Sequence, residues 1–198
     1  KKAASIPVFV DSPLAVNVTT VFRTHPECFD FETSEFLIKN EDPFGFGKLK
    51  YITDVEDSKA LNSVEGPCII ISASGMCEAG RILHHLANNI ENPNNVILMV
   101  GYSAAHTLGR KLIDGEKIVR IFGDEFQVKA EVIVMQSFSA HSDADELLSY
   151  CKNFDKSRMQ KLFLVHGEID QQEIFRTSLE EVGFRNIVIP QKGYEISI

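Results

Sequence analysis

The chain alternates short apolar runs with segments whose apolar residues recur three or four apart, the signature of buried strands separated by amphipathic helices. Ile6 to Val10 reads as a strand; Ser12 then offers an N-cap and Pro13 a first helical position, with Leu14, Val18, Val21 and Phe22 at helical spacing. Lys48 to Thr53 and Cys68 to Ser72 read as further strands on either side of a short acidic helix at Val55 to Asn62. Ala79 to Ile90 places Ile82, Leu83, Leu86 and Ile90 on one helical face, and Asn95 to Val100 comes next as an apolar strand. The stretch from Phe29 to Gly47 mixes Phe, Asp, Glu and Gly and predicts either a mobile excursion or a short helix and loop. Thr107 to Asp114 reads as a helix closed by Gly115, after which Ile118 to Phe122 and Phe126 to Val134 flank Gly123-Asp124-Glu125 as the arms of a β-hairpin. Ser142 is the expected N-cap of a helix running from Asp143 to Lys152. A strand at Leu162 to Val165, a helix from Glu168 to Val182 ended by Gly183, and a last strand at Ile187 to Ile189 complete the pattern. The fold class this predicts is α/β, a mainly parallel, Rossmann-like sheet flanked by helices.

Composition narrows the function classes. A chain of 198 residues can bury a substantial core as one large or two small domains, and its 44% hydrophobic and 24% charged residues are ordinary for a soluble globule. No apolar run approaches the roughly 20 residues of a membrane span, and the Lys1-Lys2-Ala3-Ala4-Ser5 start has no signal-peptide core and no initiator Met. The expectation is a cytoplasmic protein cut from something longer. Cys28, Cys68, Cys77 and Cys151 lack paired metal spacing and predict reduced thiols. A formal charge of −8 disfavours broad phosphate-backbone binding, so any nucleic acid must be held locally.

Three places have chemistry in their residue pattern. Ser72-Ala73-Ser74-Gly75-Met76-Cys77-Glu78-Ala79-Gly80-Arg81 joins a strand to a helix through small residues. It reads either as a tight structural turn or as an anion cradle in which backbone N–H groups, a helix N-terminus and Arg81 meet a phosphate. Arg81-Ile82 stands where a nucleotide P-loop needs Lys and Ser/Thr, which argues against that motif. His141, beside the expected cap Ser142, occupies a position where an apolar residue would pack better, and Asp143 is placed to orient it. His166 directly succeeds an apolar strand and precedes Gly167, a placement suited to metal ligation with Glu168 orienting the ring. The residue-level alternative for both histidines is a hydrogen-bonded connector. His84 and His85 fall off the apolar face of their helix and read as solvated.

Val8-Phe9-Val10-Asp11-Ser12-Pro13-Leu14-Ala15, Ser74-Gly75-Met76 through Gly80-Arg81-Ile82-Leu83-His84-His85-Leu86, Gly101-Tyr102 with Thr107-Leu108-Gly109-Arg110, Phe138-Ser139-Ala140-His141-Ser142-Asp143, and Val165-His166-Gly167-Glu168 occur along the chain in this order. In them the chain resembles the β-CASP proteins, the nucleic-acid-processing branch of the metallo-β-lactamase superfamily. The resemblance implies a β-CASP cap over residues 1–137 and a C-terminal remnant of the αββα lactamase domain over 138–198. It implies that His141 matches the motif B histidine near the scissile phosphate and His166 the motif C histidine, a zinc ligand. Ser74, Gly75, Met76, Gly80 and Arg81 match a region facing the nucleic-acid channel, with Asp143 and Glu168 supporting the histidines. The family's His-x-His-x-Asp-His, its bridging Asp and its motif A residue have no counterpart here, and Asp11 is not one. The same resemblance implies a fragment of a zinc-dependent ribonuclease, inactive alone, whose parent would hold two zinc ions and act on RNA or single-stranded DNA. The expected partners are RNA and the missing N-terminal lactamase half, with self-association through exposed apolar surface near the Leu162 strand. The alternatives are a non-catalytic RNA-binding scaffold of the same family and a phosphate-ligand-binding α/β module.

Overall fold

Val8, Phe9 and Val10 have no polar side chain to present to water, so the strand they form lies between two others. In the computed structural model, which describes residues 6–39, 42, 44–135 and 141–196, β1 (Val8–Asp11) pairs in parallel with β2 (Leu49–Tyr51) and β3 (Ile69–Ser72). The register sets Val10 opposite Tyr51 and Asp11 opposite Ser72. Ser12 accepts a hydrogen bond from the Ala15 amide and starts α1 (Pro13–Thr24), with Pro13 supplying no amide where none is needed. Phe31–Ile38 forms α2, capped by Asp30, within the stretch for which the sequence left a helix or an excursion open. Asp54 caps α3 (Val55–Ala60), which a short 3-10 turn extends through Ser63.

The helix expected from Ala79 begins later. Its α4 spans Ile82–Asn89, because Ser74 donates its amide to the Ala79 carbonyl and Ile82 donates to Ala73, closing residues 73–81 into a loop. Then come β4 (Val96–Val100), α5 (Leu108–Ile113), β5 (Ile118–Ile121), β6 (Asp124–Gln127) and β7 (Glu131–Met135). Here the expected hairpin is corrected. Its turn is Phe122-Gly123, both left-handed at φ 54° and 93°, and Asp124 and Glu125 belong to the second strand. Its long second arm breaks because the amides of Lys129 and Ala130 both donate to the Ile90 carbonyl at the end of α4. The chain resumes as β7, parallel to β4 from Val96 opposite Glu131 to Val100 opposite Met135. Leu86, Ile90, Met99, Leu108, Leu112, Val119 and Ile121 fill the main core, and Phe9, Ile52 and Leu61 a smaller one.

The chain divides into two compact units, residues 1–139 and 140–198. Residues 136–140, including the expected junction at Ser137, lie outside the described residues. In the second unit α6 (Ala144–Cys151), β8 (Leu162–Phe163), α7 (Ile169–Glu181) and β9 (Ile187–Val188) form a small α/β layer. Here β8 runs parallel to β9, and the ladder continues where Leu164 donates to Val188. Leu179 and Phe184 are its buried centre, while Val165, Ile169 and Ile174 stay exposed. All four cysteines are free thiols, and among the described residues no helix is long and apolar enough to cross a membrane.

Candidate functional site

The loop between β3 and α4 owes its shape to its small residues. Gly80 has φ +92°, and a Cβ there would sit 2.5 Å from the Ala73 carbonyl oxygen, so any other residue would push the two ends of the loop apart. The far side is held by the start of α5. Gly109 donates its amide to Met76 at 2.8 Å, and Leu108 donates to the Glu78 carboxylate at 2.6 Å. A Cβ on Gly109 would come within 3.0 Å of the Gly75 carbonyl, so close approach requires glycine at that point as well. Gly75 and Met76 are exposed at the crest, Ser74 is half-buried, and the Gly75 and Met76 amides make no hydrogen bond among the described residues.

Arg81 leaves this loop and turns inward. Its guanidinium donates to Asp11 at 2.5 Å and to the carbonyls of Ile52 and Thr53 at 3.2 and 2.8 Å. Its charge is therefore matched by a carboxylate that is wholly buried. Ser58 and His85 reach the other carboxylate oxygen, both at 2.6 Å. Burial opposes ionisation of Asp11. The hydrogen bonds from Ser58, His85 and Arg81, with the arginine's charge, outweigh that and hold the carboxyl below its ordinary value.

His85 corrects the sequence expectation. It is buried, not solvated, because it lies four residues beyond Arg81 and so shares its helix face, aimed at Asp11. His84 is exposed, its ring 4.7 Å from that of Phe122. The signal that could have found this cluster is the Arg81/His85 spacing together with an aspartate at the end of an otherwise apolar strand.

In the second unit Asp143, not Ser142, is the N-cap of α6. Its carboxylate accepts from the Glu146 amide at 2.9 Å while Glu146 accepts from the Asp143 amide at 3.2 Å, a reciprocal capping box. His141 lies exposed two residues ahead of that cap. His166 is exposed and left-handed, φ +66°, at the exit of the β8 ladder, and Gly167 comes next at φ +120°. Glu168 is the residue at which α7 starts, without a side-chain capping bond. Beside them opens a cavity of about 420 Å³ lined by His166, Ile169, Gln172, Glu173, Pro190 and Lys192, among others. Among the described residues no three His, Cys, Asp or Glu side chains converge as a metal site. His166 fits as a single ligand, with an accessible ring and open space at its side.

An α/β protein with a tightly bound small-residue loop in one unit and a strand-exit histidine over a cavity in the other is the class that this geometry defines. Residues 1–112 match the Beta-Casp domain, and residues 125–190 match the Zn-dependent metallo-hydrolase RNA specificity domain. The chain belongs to the β-CASP family of the metallo-β-lactamase superfamily. It is 35% identical over 162 residues to Ribonuclease TTHA0252 of Thermus thermophilus, covering 82% of this chain and 36% of that protein. It is 29% identical to an RNase J-like protein of Methanocaldococcus jannaschii, covering 97% of this chain and 43% of that protein. To the transcription termination factor FttA of Methanosarcina mazei it is 28% identical, over 82% of this chain and 26% of that protein. The chain thus spans less than half the length of these relatives.

Proposed function

We propose that this chain is the cap and C-terminal segment of a zinc-dependent ribonuclease that hydrolyses RNA phosphodiester bonds. The observation that carries the reading is His166, an exposed imidazole held in a left-handed backbone conformation over a cavity. Such a conformation costs a non-glycine residue about 1–2 kcal/mol, and the place is better suited to Gly or Asn. Two relatives that match most of the chain are a ribonuclease and an RNase J-like protein, which supports RNA as the substrate.

In this reading His166 holds one zinc ion, the other ligands coming from parts of the protein outside this chain. Zinc, when bound, lowers the pKa of a coordinated water and neutralises charge on the phosphate. His141 stands exposed ahead of α6, where its ring can hold or deliver a proton at the leaving oxygen. Asp143 supports His141 by fixing where α6 begins, and Glu168, two residues beyond His166, supports that histidine by orienting its ring. Ser74, Gly75 and Met76 offer the exposed crest of the loop to the RNA, with Gly80 giving the loop its turn. Arg81, committed to Asp11, anchors that loop from behind.

The test uses the full-length protein. His166→Ala is expected to lower both bound zinc, measured by elemental analysis, and RNA cleavage. His141→Ala is expected to keep the zinc and cut the rate by about 10²–10⁴, the usual contribution of a positioned proton donor. Cleavage unchanged in both variants would remove the proposal.

A further inference from the structure

Both ends of the loop formed by residues 73–81 are tied to Asp11. At its start the Ser72 hydroxyl donates to the Asp11 backbone carbonyl at 3.0 Å. At its end the Asp11 carboxylate holds Arg81 and His85, which flank the beginning of α4. The loop between them is therefore as well placed as those bonds are.

The His85 ring has an acceptor on each side. Nε2 lies 2.6 Å from the Asp11 carboxylate, and Nδ1 lies 3.0 Å from Oδ1 of Asn62. A chain of amides fixes which atom of Asn62 faces the ring. Asn95 donates to the Asn89 backbone carbonyl and to its side-chain oxygen, at 3.2 and 3.1 Å. Asn89 must then present its NH2 to the His85 carbonyl at 2.9 Å and to Asn62 at 3.1 Å. Asn62 consequently shows oxygen to both Asn89 and His85, and its own NH2 points at the Lys59 carbonyl. A neutral imidazole has one N–H and one lone pair, so it would set a lone pair against one of these two oxygens. Two N–H groups satisfy both. The remaining groups around the carboxylate are Arg81 and the Ser58 hydroxyl, while the nearby Lys59 is paired with Glu56 on the exposed side of α3.

We propose that His85 is an imidazolium donating through both ring nitrogens, and that with Asp11 and Arg81 it acts as a positioning residue for the loop at residues 73–81. The link to RNA rests on the function proposed above; the protonation of the ring and the order of the loop do not. Nitrogen-15 spectra of histidine-labelled protein, with the ring of His85 assigned by through-bond correlation, should show a proton on both nitrogens at neutral pH. One unprotonated ring nitrogen would overturn the proposal.

Asn62→Leu removes the acceptor at Nδ1, and Asn62→Asp retains one. In the full-length protein the leucine variant should quicken amide hydrogen exchange across residues 74–80 and weaken binding of a short single-stranded oligoribonucleotide about tenfold, with little change in turnover at saturating RNA. The aspartate variant should restore both readouts. Exchange at residues 74–80 unaltered in Asn62→Leu refutes the positioning role even if RNA binds. Faster exchange without any RNA binding by the unaltered protein keeps the positioning role and removes the ribonuclease reading instead.

Discussion

Replacing Asp11 by Asn retains the outline of the side chain and deletes its charge and one acceptor. Asp11 is fully buried, and its two oxygens receive Arg81 at 2.5 Å and Ser58 and His85 at 2.6 Å. An amide can give its oxygen to Arg81, but its NH2 then meets two donors in Ser58 and His85. Arg81, only 16% exposed, loses its counter-charge at the same time. Removing one partner of a buried, hydrogen-bonded pair costs about 3–5 kcal/mol. At roughly 0.05–0.15 kcal/mol per residue the whole 139-residue unit is stabilised by roughly 7–20 kcal/mol, so the loss is a large share of the total. With a urea slope of about 2 kcal/mol/M, the midpoint should fall by about 1.5–2.5 M when unfolding is monitored by circular dichroism. The deficit should also depend on pH. Because the folded carboxyl titrates below its ordinary value of 3.8, its stabilisation is complete above that value and is lost as pH falls through the folded pKa. The gap between the two proteins should therefore narrow below about pH 4. A loss under about 1 kcal/mol at neutral pH would show that the cluster is not the brace inferred from its geometry.

Gly80→Ala adds a Cβ at φ +92° and 2.5 Å from the Ala73 carbonyl, so it should destabilise by more than the roughly 0.4–1 kcal/mol that such an exchange gains at an unstrained site, read by the same urea titration. An unchanged midpoint would mean that the loop can open at no cost. Cys77 is buried, and burial, with a smaller contribution from the neighbouring Glu78 charge, pushes its thiol up to about 11. Its thiolate is then roughly one part in a thousand at pH 8, and iodoacetamide labelling read by mass spectrometry should mark exposed Cys28 well before Cys77. Equal labelling rates in the folded protein would contradict that burial.

The strands were legible because Val8-Phe9-Val10, Ile69-Ile70-Ile71 and Val96-Ile97-Leu98 contain nothing but apolar residues between polar turns, the pattern of parallel strands; their burial was not, since Ile69, Ile71, Val96 and Leu98 are about half exposed. Boundaries failed where a distant partner decided them. Ala79 to Arg81 have helical neighbours, but Ala73 captures the Ile82 amide and Gly80 takes a left-handed turn, so the helix starts three residues late. The second hairpin arm alternates without a break in sequence, and it is the Ile90 carbonyl, some forty positions earlier, that splits it. Asp143-Ala144-Asp145-Glu146 is a capping-box pattern and could have displaced Ser142 as the cap from sequence alone. Both His84 and His85 fall off the helix face that Ile82, Leu83, Leu86 and Ile90 define, which reads as solvent for each, yet a second, polar partner buries His85. The partner that draws it inward, Asp11, is 74 residues away.

The polar residues of this chain fall into two kinds, and variants should separate them. Asp11, Arg81 and His85 satisfy one another inside the protein, and the removal of any one leaves the others with unmet charge or hydrogen bonds. Their substitutions must register as lost stability before they register as lost activity. His166 is the opposite case: its ring is exposed, its backbone is in a region costly for a side chain, and among the described residues of the second unit no packing calls for an imidazole there. Glycine at that position would relieve the backbone, so His166→Gly should leave the second unit at least as stable while removing whatever chemistry the ring supplies. On the function proposed above that chemistry is zinc binding, so His166→Gly should lower the bound zinc of the full-length protein while the urea midpoint of the second unit holds or rises; zinc content unchanged in the variant would refute the assignment.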